Sequence, residues 1–138
     1  MHTGNGKHQM TMNRFALISG SIMAALAVII DAFGAHAIAD MVTPPRLATW
    51  QIGDRYLMFH GLGLLLVGTL SIVLKQPLKW PTYLLFAGSC VFCATLFLLV
   101  LLDISWLGAI TPIGGVLMIA GWSVLAVNLF FATRHQTP

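Results

Sequence analysis

The chain has 138 residues, 58% of them hydrophobic and 8% charged, with a formal net charge of +3. An ordinary soluble domain carries charge on about a quarter of its residues, so this composition excludes a solvated globule. Lys and Arg cluster along no face, which excludes a nucleic-acid footprint, and the length leaves room for one domain of four membrane-length helices and their connections.

Residues 1–13 are polar and glycine-containing and are expected to be disordered, with Met10 and Met12 as alternative starts of translation. The first apolar run covers 15–37, and about 20 apolar residues suffice to cross the hydrocarbon. This run also has signal-peptide features, with Lys7 and Arg14 in front and the small-x-small sites Ala35-His36-Ala37 and Ala37-Ile38-Ala39 behind. Its apolar stretch outlasts an ordinary signal core, and Asp31 interrupts it before the cleavage sites, so a retained span is expected. In the connection 40–54, Pro44-Pro45 is expected to break any helix after Met41, leaving 46–51 as an interfacial turn with Trp50 at the headgroups.

The second run is 57–74, followed by a basic turn in which Pro77 and Pro81 end one helix and start the next. The third is 83–102. The fourth, 112–131, is preceded by Thr111-Pro112 as N-cap and first-turn proline and followed by a tail over 134–138. In lipid each span must bond its own backbone, and short connections make neighbours antiparallel. The expected fold is therefore all-α, an integral membrane four-helix bundle. Gly20 with Ala24, Ser21 with Ala25, Ser89 with Cys93, and the glycines at 61, 63, 68, 88, 114, 115 and 121 place small residues where helices can approach closely.

With four spans, the N-terminus, the second connection and the C-terminus share one side. That side holds Lys7, Arg14, Lys75, Lys79 and Arg134, against Arg46 and Arg55 on the other, where Asp40, Asp54 and Asp103 also lie. The positive-inside rule then places both termini in the cytoplasm.

Ionisable groups at membrane depth are rare and by default mark a function or a specific partner. His36 is expected near the outer end of the first helix and His60 about one turn inside the second, so that both imidazoles lie at similar depth. Tyr56 is four residues before His60, on the same helical face, with Arg55 and Asp54 close by; Asp31 lies beneath His36, and Thr111 enters from the third connection. Three readings of this candidate ligand-binding set stay open. The residues cross-link the bundle by hydrogen bonds, or the histidines hold a metal or haem, or the cluster takes a small polar or quinone-like ligand or relays protons. Two histidines without a cysteine pair or carboxylate at ligand spacing are a weak metal signal, and no cofactor is expected.

An enzyme needs a nucleophile, a base and an orienting group in reach, and no serine here stands in a recognisable elbow. Cys90 and Cys93 form Cys-x-x-Cys inside an apolar helix with no cation nearby to activate a thiol. Repeated halves and broken helices, the marks of transporters, are also missing. The expected role is non-enzymatic: an accessory or assembly partner of a larger membrane complex, surrounded by the lipid bilayer and meeting another membrane protein or a second copy of itself. The alternative is ligand binding or transport through His36 and His60.

Asp31-Ala-Phe-Gly-Ala-His36, Gly53-Asp-Arg-Tyr-Leu-Met-Phe-His60, Phe92-Cys-Ala-Thr-Leu-Phe97, Leu107-Gly-Ala-Ile-Thr-Pro-Ile-Gly-Gly115 and Ile119-Ala-Gly-Trp122 follow in this order. Over roughly 14–131 they resemble the domain-of-unknown-function 423 family of small bacterial membrane proteins, with transmembrane protein 256 as a eukaryotic relative. The resemblance implies a four-helix membrane protein and no particular reaction. Asp31 stands where the family more often has a small residue, and Asp54 where it more often has an apolar one.

Overall fold

Pro44 and Pro45 open a helix instead of interrupting one. In the computed structural model, which describes residues 3–134 and side chains over 10–132, helix α1 runs Thr3–Phe33 and passes into a single π turn, Gly34–Ile38. Helix α2 is Pro44–Val73, α3 is Lys79–Leu102, and α4 is Thr111–Arg134, preceded by a 3-10 turn at Ser105–Ala109. Among the described residues, four helices are long and apolar enough to cross a membrane.

Two expectations change. The connection 40–54 is mostly helix, because prolines at the first two helical positions lack only N–H groups that would be unpaired there anyway. Arg46, Gln51, Asp54 and Arg55 lower the local hydropathy without opposing the helix, so α2 starts well before the apolar run at 57. At the N-terminus the chain is helical from Thr3 where disorder is expected; Met1, His2 and residues 135–138 lie outside the described residues.

The helices pack in chain order, α1 on α2, α2 on α3 and α3 on α4. Among the described residues no extended contact joins α1 to α4, and α2 and α3 form the more buried central pair. Two glycine crossings fix the outer helices. A Cβ on Gly20 would lie 2.6 Å from the carbonyl oxygen of Gly61, and one on Gly114 would lie 2.7 Å from that of Gly88. Backbones meet here without side chains between them, which is how helices associate in lipid. Leu64, Val67 and Leu85 fill the centre with no exposed surface.

Both central helices end on a left-handed residue. At the end of α2, Gln76 N–H donates to the Ser71 carbonyl and Lys75 N–H to that of Ile72, a Schellman closure with Lys75 at φ 52°. Asp103, at φ 53°, ends α3. Between Arg46 and Lys75 the chain rises about 43 Å at 1.5 Å per residue, and a bilayer with its headgroups is ~40–45 Å thick. His60 is therefore close to the midplane, and Asp54 is about 10 Å from it, still inside the hydrocarbon.

Candidate functional site

The membrane-depth polar groups fall into a closed site and an open one. The closed site is built on His60, which is 5% exposed. The indole N–H of Trp122 can only donate, and its acceptor is His60 Nε2, 3.2 Å away. Nε2 is then the lone-pair nitrogen, and the proton sits on Nδ1, which donates to the Tyr56 carbonyl at 2.8 Å. Both ring nitrogens are used, leaving a neutral imidazole with no lone pair for a metal. Tyr56 stacks on the imidazole at 5.9 Å and packs on Phe92 at 4.7 Å. Gly63 clears the space for Trp122, since a Cβ there would stand 2.9 Å from the indole. Helix α4, held mainly by α3, is thereby tied to α2 across mid-membrane.

The open site lies between α1 and α2. Gly20 against Gly61 and Gly34 against Trp50 set an antiparallel register that brings Asp31 level with Asp54. With Gln51 and Arg55 these carboxylates line a hollow of about 510 Å³ whose apolar walls include Ala27 and Met58. Oδ1 of Asp54 is buried and has no hydrogen-bond partner. Leaving a buried polar group unpaired costs about 1–3 kcal/mol, and more for a charged one. Among the described residues the only ion pair is Arg46 with Asp103, at the end of the bundle, so neither carboxylate of the hollow is neutralised by an arginine.

The structure does not gather the sequence-derived set into one cluster. Tyr56 and His60 belong to the closed site, Asp31 and Arg55 to the open one. Thr111 is buried and its hydroxyl meets Thr95 Oγ1 at 2.9 Å, tying the start of α4 to α3. His36 lies exposed in the π turn beside Ala32, Phe33 and Ala37. The helix register sets it about 18 Å from His60 along the membrane normal, because α2 begins at Pro44 and carries His60 to mid-membrane instead of leaving it one turn from the surface. Three contributors escape the sequence reading. Trp122 offered a signal as an indole N–H centred in an apolar span, and Gln51 as a polar residue at i−3 from Asp54 on one helical flank. Phe92 offered none. Among the described residues no group of three His, Cys, Asp or Glu side chains is placed to hold a metal ion.

A profile of the family described as a protein of unknown function (DUF423) matches residues 30–115, a stretch that includes both carboxylates and His60. The chain belongs to the DUF423 family. Its relatives include a UPF0382 membrane protein of Staphylococcus aureus, 41% identical over 83% of this chain and 93% of the relative. One of Staphylococcus saprophyticus is 41% identical over 83% of this chain and 95% of its own length, and one of Staphylococcus epidermidis is 42% identical over 80% and 91%. These names state a membrane protein and no activity. No solved structure matches. This DUF423 chain is thus an all-α membrane protein with four helices of spanning length.

Proposed function

We propose that this DUF423 protein is a non-enzymatic accessory subunit or assembly partner of a larger complex in the bacterial plasma membrane. In this reading the hollow between Asp31 and Asp54 receives a transmembrane segment of the partner. The observation that carries the reading is the buried, unpartnered Oδ1 of Asp54. A carboxylate inside the hydrocarbon needs a counter-charge or a donor, and the described residues supply neither to this oxygen. A partner helix presenting a Lys, Arg or hydrogen-bond-donating side chain would satisfy it, and Asp31 across the hollow would hold the same group from the other side. The lysine and arginine bias supports an orientation with both termini cytoplasmic.

The test is gentle detergent extraction of the tagged protein from its native membrane, with mass spectrometry of what co-purifies. A stoichiometric integral-membrane partner is expected from the wild type and is lost from the Asp31→Asn, Asp54→Asn double variant. Recovery of the wild type alone overturns the reading. A carboxy-terminal fusion to green fluorescent protein is expected to fluoresce, and one to alkaline phosphatase to stay inactive; the reverse pattern overturns the orientation.

A further inference from the structure

A second polar hollow lies at the bilayer surface, where α2 begins and α3 ends. Arg46 Nη2 donates to Asp103 Oδ1 at 2.6 Å and to Ser105 Oγ at 3.1 Å. The two charged residues form one rim of a hollow of about 350 Å³, whose remaining walls include Ile38, Val42, Val100 and Leu101. The Asp103 side chain is 82% exposed, and one of its oxygens is engaged. Trp106 and Met41, 66% and 79% exposed, flank the same end, as amphipathic and apolar groups do at a headgroup layer.

We propose that this hollow binds the headgroup of a zwitterionic aminophospholipid, with its primary ammonium on Asp103, its phosphate on Arg46 and its acyl chains along Val100 and Leu101. The site offers one fixed cation and one fixed anion side by side, the complement of a phosphate and an ammonium two carbons apart. A primary ammonium brings three N–H donors to the remaining lone pairs of the carboxylate, whereas a quaternary one brings none. An anionic lipid meets Arg46 but also the exposed carboxylate of Asp103, and brings no ammonium for its second oxygen. The backbone points to the same residue. Position 103 is left-handed, where glycine is the least strained choice, and an aspartate there aims a carboxylate at Arg46.

The test uses the full chain, delipidated in detergent, with native mass spectrometry during titration by short-chain phosphatidylethanolamine, phosphatidylcholine, phosphatidylglycerol and inorganic phosphate. Phosphatidylethanolamine is expected to bind at least tenfold more tightly than either other lipid, and inorganic phosphate is expected not to displace it. Asp103→Asn keeps a residue that tolerates the left-handed conformation and is expected to abolish the preference over phosphatidylcholine. Lys75→Gln, at the opposite surface, is expected to leave it intact. Equal binding of the three lipids, displacement by phosphate alone, or a preference that survives Asp103→Asn overturns the proposal.

Discussion

His60 and Asp54 stand on the same helix, both within the hydrocarbon, and they are treated in opposite ways. Each ring nitrogen of His60 has a partner, one on its own helix and one on α4. Asp54 faces a hollow with one buried oxygen unpaired, and the carboxylate across from it is another acid. A polar group in lipid that is fully bonded inside the chain acts as a fastener, and one left unbonded asks for something outside the chain. Residue type alone does not separate these roles; the neighbours do.

The most severe way to break this contrast is Gly61→Leu. Its Cβ would stand 2.9 Å from the Ala24 backbone nitrogen, so α1 must leave α2 and the open hollow is lost. A destabilisation of about 3 kcal/mol or more is expected, read as loss of the monodisperse species in detergent, while Gly115→Ala, with nothing within 4 Å of the added carbon, is expected to change nothing. His60→Ala removes both bonds and leaves a gap, for about 2 kcal/mol in a reversible unfolding assay. Asp103→Ala, breaking an exposed ion pair, is expected to cost about 1 kcal/mol or less. Trp122→Phe keeps the ring and removes the donor, for about 1 kcal/mol, and a double-mutant cycle with His60→Leu should return a coupling of roughly 0.6–1.7 kcal/mol; zero coupling would mean the bond is not made. Asp54→Asn has the smallest effect and the opposite sign: unchanged or slightly raised stability, with capture of the partner lost. If it destabilises as much as His60→Ala, Asp54 is satisfied internally and the contrast collapses.

The apolar runs made the four spans and their antiparallel order legible, and Gly61, Gly88 and Gly114 were legible as packing positions, whereas at Gly115, equally small, an added Cβ would meet nothing within 4 Å. The start of α2 was not. Hydropathy registers side chains, whereas a helix is set by its backbone, so polar residues after Pro45 read as a loop. That one displacement moved His60 from the surface to mid-membrane and separated it from His36. Asp31 and Asp54 stand out in the sequence as departures from a family pattern, yet their meeting depends on the Gly20–Gly61 register, a contact between distant segments that periodicity within one helix does not reveal.

Because α1 packs on α2 and α4 on α3, with little joining the flanks, each glycine crossing forms within one contiguous hairpin. The Gly20–Gly61 crossing draws its contacts from α1 and α2 alone. The His60–Trp122 bond is different, since it spans the two hairpins and closes only when the last helix arrives. Neither hairpin alone supplies both partners of the imidazole, so this one bond couples the two halves of the bundle at mid-membrane.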